Sequence, residues 1–199
     1  MNFLGHAYIA RNHPFLIAGN FAGDSYKGKL DNFNDLPKHI LDGIHLHRFI
    51  DDFTDTSDQI KEVAHIFLDN GIEKVGFIAS DIILDHHLSR EWKNYSEMPY
   101  FDFIEKIYHH TDPELDTLKA DFQFLYSKLK QYQWLHQYPQ EDGIQKILSQ
   151  FSRRIRFEND LDKSLNIYKE HKPLIDNLFS DFLKHIDEAA EDFILDKLI

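Results

Sequence analysis

Two histidines and three aspartates lie among bulky apolar residues in the stretch GIHLHRFIDDFTD, residues 43–55. Spacings of four, three and four residues put one of the histidines and one of the aspartates on the same helical face as two isoleucines. The members of this face are Ile40, Ile44, His47 and Asp51. A carboxylate on a face that points into the core is costly unless it is protonated or paired. A bound cation would remove this cost.

Two structural explanations of this face require no ion. Asp51 could form an ion pair with Arg48, three residues before it, or with a group on another helix. His47 could be a core histidine whose ring nitrogens are hydrogen-bonded. The choice between these explanations and a metal site depends on whether the pattern recurs in the chain.

The pattern recurs in FIASDIILDHHLSREW, residues 77–92. This second helical stripe comprises Ile78, Asp81, Ile82, Asp85, Leu88 and Trp92. Its two aspartates stand one turn apart, and they repel each other unless they are paired, protonated or bridged by a positive charge. His86 follows Asp85 directly. Two helices with the same anomaly predict one shared site.

A glycine-rich stretch, GNFAGDSYKGKLD at residues 19–31, interrupts the helical pattern. Gly19, Gly23 and Gly28 permit tight turns and a close approach of the backbone to a ligand. The GxxxxGK[ST] spacing of a phosphate-binding loop is absent. Asp24 lies among these glycines, and we expect it to reach the shared site from the loop.

The candidate ligands offer oxygen and nitrogen donors and no sulfur. They are Asp24, His47, Asp51, Asp81, Asp85 and His86. Such donors suit Mn²⁺ or Mg²⁺, with Fe²⁺ as a further alternative. A buried network of aspartate, arginine and histidine without metal is the competing explanation. His6 could join the site from an N-terminal helix, although a lone histidine on an apolar segment is more often structural.

Three arginines stand together in SQFSRRIRF, residues 149–157, within an otherwise acidic chain. Arg153, Arg154 and Arg156 could form a solvated helix face that neighbouring acidic residues neutralise. They could equally hold a phosphate or contact an acidic protein surface.

Composition limits the class of protein. A chain of 199 residues with 42% hydrophobic residues predicts one globular domain over residues 1–199. The absence of cysteine excludes disulfides and thiolate metal sites. A net charge of −12 argues against binding to nucleic acid or to an anionic membrane. Without a membrane span of ~18 apolar residues or a secretory leader pattern, we expect a cytoplasmic protein.

Six prolines divide the chain into long segments whose apolar residues recur every three or four positions. This pattern predicts an all-α fold, and strand-like alternation is missing. The predicted helices cover residues 37–53, 72–92, 100–110, 114–135, 141–155 and 172–199.

Five blocks of the sequence together resemble the acyl carrier protein phosphodiesterases, also called acyl carrier protein hydrolases. In chain order these blocks are MNFLGHAYIA, AGNFAGD, GIHLHRFIDDFTD, SDIILDHHLSREW and FSRRIRF, which extend from residue 1 to residue 157. The resemblance implies a single compact, all-helical domain that is a divergent member of the HD phosphohydrolase group. It also implies a Mn²⁺-dependent reaction that removes 4′-phosphopantetheine from a serine of holo acyl carrier protein.

The resemblance also implies roles for residues. The chain has no contiguous His-Asp dipeptide, so the ligand set stays open among His6, Asp24, His47, Asp51, Asp81 and Asp85. Asp24 and His86 are the expected catalytic residues, with His86 carrying a proton to the departing serine oxygen. Lys27 and Arg48 are expected to neutralise phosphate charge. Arg153, Arg154 and Arg156 are expected to dock the acidic carrier, which the rest of the chain repels.

Two rival functions predict different behaviour. An HD-like metal phosphohydrolase that acts on a nucleotide or another small phosphodiester would not need the arginine cluster. A helical binding module with structural buried charges would bind no stoichiometric metal, and Asp51→Ala would unfold it.

Overall fold

Helices account for the regular structure of the whole chain, as the apolar spacing predicts. A computed structural model describes all residues from Met1 to Ile199 and contains no β-strand. The eleven α-helices are α1 Phe3–Ile9, α2 Ile17–Phe21, α3 Lys38–Thr56, α4 Asp58–Asp69, α5 Gly76–Arg90, α6 Tyr100–Thr111, α7 Ala120–Gln131, α8 Trp134–Gln137, α9 Glu141–Arg154, α10 Ser164–Glu170 and α11 Lys172–Lys197. The all-α prediction is confirmed. None of these helices has the length and apolarity needed to cross a membrane.

Proline marks helix starts, as expected. Pro37 and Pro99 occupy the N-cap positions of α3 and α6, and Pro173 lies in the first turn of α11. Helix α4 was not predicted, although Ser57 gives it a side-chain cap by accepting a hydrogen bond from the backbone N–H of Ile60.

The single helix predicted over residues 114–135 is wrong. The chain forms a 3₁₀ helix over Asp112–Thr117 and then α7 and α8. The backbone at Leu118 is extended, which ends the 3₁₀ helix. The side-chain amide of Gln123 donates hydrogen bonds to the carbonyl oxygens of Leu115 and Leu118 and so stabilises a turn where a helix was predicted. Gln133 then adopts a left-handed conformation, with φ of 51°, between α7 and α8.

Helix α5 lies at the centre of the packing. It contacts α1, α4, α9, α10 and α11, and every residue from Ile82 to Ser89 is buried. A cluster of 53 buried hydrophobic residues draws on all eleven helices and forms the core. Polar side chains on α5 therefore face protein on all sides, and each needs a partner there.

Helices α2 and α3 cross with their backbones in contact. A Cβ atom on Gly43 would lie 2.5 Å from the carbonyl oxygen of Leu16 and 2.8 Å from the Cα of Gly19. A Cβ atom on Gly19 would collide with the carbonyl oxygen of Ile40. The crossing requires glycine at both positions and holds the start of the glycine-rich stretch against α3.

Gly43→Ala tests this crossing. The added methyl group meets backbone atoms that cannot rotate away, so we expect a loss of about 1–3 kcal/mol in the free energy of unfolding. Denaturant unfolding followed by circular dichroism measures it. Asp52→Ala is the control because it places alanine at an exposed position of the same helix. Equal stability of the two variants would contradict backbone contact at the crossing.

Candidate metal centre

Two histidines from different helices stack face to face. The rings of His6 on α1 and His47 on α3 have centroids 4.0 Å apart and an interplanar angle of 17°. Asp51, one turn after His47, lies across the edge of both rings. Its Oδ1 is 3.3 Å from His6 Nε2, and its Oδ2 is 3.2 Å from His47 Nε2. Two imidazole nitrogens and one carboxylate therefore converge, with their ligand atoms within 4.8 Å of one another.

Asn20 on α2 orients both rings. Its backbone carbonyl lies 2.7 Å from His47 Nδ1, and its side-chain oxygen lies 3.3 Å from His6 Nδ1. The Asn20 amide nitrogen in turn donates to the backbone carbonyl of His6 at 2.7 Å. Oxygen acceptors at both Nδ1 atoms place the ring protons there and leave each Nε2 lone pair directed toward Asp51.

The predicted loop contributes a glycine and an aspartate. A Cβ atom on Gly23 would collide with the ring of His47, so only glycine lets the loop cover that histidine. Asp24 follows, with its Oδ1 3.7 Å from His47 Nε2 and its side chain 82% exposed. Asp24 is therefore a fourth donor on the solvent side of the triad.

Burial and the neighbouring charged groups shift the pKa values of both histidines and of Asp51. Burial alone would lower the pKa of His47, but Asp24 and Asp51 raise it to about 9. Burial, followed by the nearby His47, lowers the pKa of His6 to about 4. The burial of Asp51 is outweighed by the two imidazoles, which hold the pKa of its carboxyl far below the usual range. At neutral pH and without a metal ion, His47 therefore also holds a proton on Nε2 and is cationic, whereas His6 is neutral. A ligating metal ion would have to displace that Nε2 proton.

The donor set fits a divalent metal ion. His47 Nε2 is buried and makes no hydrogen bond, although two carboxylates lie close to it. An orphaned buried imidazole nitrogen is costly in an apolar interior and is satisfied by coordination. The hydrogen bonds at the opposite ring nitrogens are those of metal-ligating histidines.

A pocket of about 190 Å³ opens beside the triad. Four aspartates line it, namely Asp24, Asp51, Asp55 and Asp81. Ile78, Ile82 and Phe151 contribute its apolar lining. The pocket connects Asp51 and Asp24 with solvent, so a small charged group can reach the carboxylate side of the triad.

Comparison with known proteins identifies the family. Residues 1–186 match the family model described as acyl carrier protein phosphodiesterase. The chain belongs to this family. An acyl carrier protein phosphodiesterase of Klebsiella pneumoniae subsp. pneumoniae is 33% identical over 160 residues, which cover 79% of this chain and 81% of the relative. Those of Photorhabdus laumondii and Escherichia coli O6:H1 are each 29% identical, over 194 and 195 residues, or 96% of this chain and 96% and 97% of the relatives.

No solved structure matches the chain. The predicted likeness to HD phosphohydrolases therefore stays a prediction, whereas the membership of the acyl carrier protein phosphodiesterase family is established by sequence.

Two predicted ligands on α5 lie near the triad but outside it. Asp81 lines the pocket, and its Oδ1 is 2.6 Å from the α-amino group of Met1. Asp85 is fully buried and accepts hydrogen bonds from the backbone N–H groups of Leu4 and Gly5, at 2.8 and 3.0 Å. Burial raises the pKa of Asp85 to about 7. Both carboxylate oxygens of Asp85 cap the first turn of α1, the helix that carries His6.

Three other predicted residues, His86, Arg48 and Lys27, do not belong to the triad. His86 is fully buried, its Nδ1 lies 2.6 Å from the carbonyl oxygen of Tyr138, and neither residue lines the pocket. Arg48 donates to the carbonyl oxygen of Tyr26 at 2.7 Å and forms no ion pair with Asp51. Lys27 is exposed.

One arginine of the cluster, Arg154, lies near the pocket, where its guanidinium stands over the ring of Trp134 at 4.9 Å. Arg153, Arg154 and Arg156 are all exposed at the end of α9. The Arg154 guanidinium stands 5.9 Å from the ring centroid of Phe151, which lines the pocket. Positive charge is thus placed at the edge of an acidic cavity.

Sequence reasoning missed Asn20 and Asp55 as site residues. Asn20 lies inside the AGNFAGD block, and its place between Gly19 and Gly23 is its only sequence-level signal. The structure shows that it is fully buried. Asp55 lies four residues after Asp51 and so continues the same helical face.

Asp51→Asn tests the centre. It removes the charge that lies between the two Nε2 atoms, so we expect Mn²⁺ binding to weaken by about 100-fold, or about 2.7 kcal/mol, with the fold retained. Isothermal titration calorimetry measures it. Asp52→Asn makes the same change at the exposed neighbouring position and should bind Mn²⁺ like the wild type. Equal affinities of the two variants would contradict ligation by Asp51.

The pH dependence of metal binding gives a second test. A ligating histidine must be deprotonated, and His47 holds its proton up to about pH 9. The Mn²⁺ affinity should therefore rise by about tenfold per pH unit between about pH 6.5 and 8. Calorimetry in two buffers of different ionisation enthalpy should show about one proton released per ion. An affinity independent of pH would show that His47 is not a ligand.

Proposed function

We propose that the protein is a metal-dependent acyl carrier protein phosphodiesterase. It hydrolyses the phosphodiester between 4′-phosphopantetheine and a serine of holo acyl carrier protein and leaves the apo carrier. The observation that carries this proposal is the convergence of His6, His47 and Asp51 beside an open pocket. Membership of the family supplies the substrate class.

We assign Mn²⁺ as the resident ion, which the sequence resemblance implies. Carboxylate oxygens suit manganese and imidazole nitrogens suit iron, so the mixed donor set is compatible with Mn²⁺ or Fe²⁺, whereas Mg²⁺ prefers oxygen ligands and retains several waters. His6, His47 and Asp51 would hold the ion, with Asp24 on the open side. A bound divalent ion supplies Lewis acidity toward a phosphodiester oxygen and lowers the pKa of a coordinated water.

Two aspartates are placed to move protons. Asp24 is ionised at neutral pH because the nearby His47 imidazole lowers its pKa, so it can accept the proton of the attacking water. Asp55 lines the same pocket, and partial desolvation together with the charges of Asp51 and Asp81 raises its pKa, which makes it the better proton donor of the two. We assign Asp55 the donation of a proton to the departing serine oxygen, because His86 lies outside the pocket.

The arginine cluster provides the docking charge. A chain of net charge −12 repels an acidic carrier at long range, so the carrier must bind a local positive surface. Arg153, Arg154 and Arg156 form such a surface, with Arg154 near the pocket. This position favours a carrier protein over a small phosphodiester as the substrate.

The direct test is the mass of holo acyl carrier protein after incubation with the protein and Mn²⁺. We expect loss of the phosphopantetheine mass, with no loss in the presence of EDTA or with Asp51→Asn. Turnover of Asp52→Asn at the wild-type rate is the matched control. An unchanged carrier in the presence of folded, Mn²⁺-loaded protein would contradict the proposed substrate.

Variants in the same assay separate the roles of the side chains. Asp55→Asn should slow turnover by about 100-fold without weakening Mn²⁺ binding. Charge reversal at Arg153, Arg154 and Arg156 should lower kcat/KM for the carrier at low salt and leave the hydrolysis of a small phosphodiester unchanged. Equal loss on both substrates would show that the arginines act on the fold or on the chemistry instead of on docking.

A further inference from the structure

The pocket beside the triad has two chemically different walls. Aspartates from α3, α5 and the glycine-rich stretch form one wall. Ile78 and Ile82 on α5 and Phe151 on α9 form the other. The apolar wall stands directly beside the donors that would hold the ion, so it faces whatever is attached to the phosphate.

The apolar wall continues out of the pocket. Ile78 is 38% exposed and its neighbour Phe77 is 44% exposed, both in the first turn of α5. Ile78 precedes Asp81 by three residues, so the two side chains share a helical face, and the apolar wall begins one turn from a pocket carboxylate. Exposed apolar side chains at the rim of a pocket are typical of a ligand subsite.

The size and charge of the pocket limit what can occupy it. A volume of about 190 Å³ is below the ~300–1,000 Å³ range of pockets that enclose a whole ligand. The phosphodiester group therefore lies in the pocket while the rest of each alcohol extends outside it. The Met1 α-amino group neutralises Asp81, and the other three aspartates still disfavour an alcohol that carries further negative charge, so we expect an uncharged group on the apolar wall.

We propose that Ile78 and Phe151 form a specificity subsite for a branched, uncharged alkyl group one methylene away from the ester oxygen. This inference rests on the proposed function, in which that group is the gem-dimethyl carbon of 4′-phosphopantetheine. The two methyl groups pack on the apolar wall and orient the phosphorus toward the triad. A nucleotide has no branched alkyl group at this position and gains nothing from the wall.

The test compares 4′-phosphopantetheine with an analogue in which both methyl groups are hydrogen. Binding to the Mn²⁺-loaded protein is measured by calorimetry, so that the readout does not depend on turnover. We expect the wild type to bind the methylated compound about 10- to 100-fold more tightly. Ile78→Ser should abolish this preference and leave the affinity for the analogue within about threefold of the wild type.

Leu195→Ser is the matched control. Leu195 is an exposed aliphatic residue, at 56%, on α11, and its replacement should keep the wild-type preference. Equal binding of the two compounds by the wild type, binding of neither, or a preference that survives in Ile78→Ser would each overturn the subsite. Failure of the proposed function would give a different result. In that case the protein would still prefer the methylated compound in the binding experiment, but the mass of holo acyl carrier protein would stay unchanged in the hydrolysis assay.

Discussion

The contact between the backbones of α2 and α3 at Gly19 and Gly43 is the constraint on which the metal centre depends. Because no side chain separates the two helices, the residue after Gly19 lies against the face of α3 that carries His47. The backbone carbonyl of Asn20 can then accept a hydrogen bond from His47, and its side-chain amide holds His6. One close crossing thus fixes the orientation of two imidazoles, one on α3 and one on α1.

The remaining support comes from α5, which is buried from Ile82 to Ser89. Asp85 binds the first backbone N–H groups of α1 and so anchors the helix that carries His6. Gly5 permits this contact, since a Cβ atom there would lie 3.1 Å from the Asp85 carboxylate and collide with Met1. A carboxylate with no role in the triad therefore positions one of its ligands. The polar groups on the apolar faces of α3 and α5 therefore have two roles. His47 and Asp51 belong to the candidate metal centre, whereas Asp85 stabilises the fold.

Spacing predicts the helical class and the stripe from Ile40 to Asp51, because a period of 3.6 residues defines which side chains share a face. The approach of Asp24 could be predicted from its place among the glycines of the loop. Spacing does not define the partner of a buried group. The partners of Asp85 and His86 are backbone groups of α1 and of Tyr138, which have no sequence signature. Asn20 was missed for the same reason, since its role depends on where α2 crosses α3. The predicted helix over residues 114–135 is broken a second time between α7 and α8, where Gln133 is left-handed. Glutamine has no strong preference for that conformation, so the sequence does not indicate this break.

The most direct measurement is the anomalous scattering of manganese in crystals of the Mn²⁺-loaded protein. The account predicts a single strong peak in contact with Nε2 of His6, Nε2 of His47 and the carboxylate of Asp51, with both Nδ1 atoms still bonded to Asn20. A peak held by Asp81 and Asp55 away from the two imidazoles, or rings turned so that Nδ1 meets the ion, would contradict it.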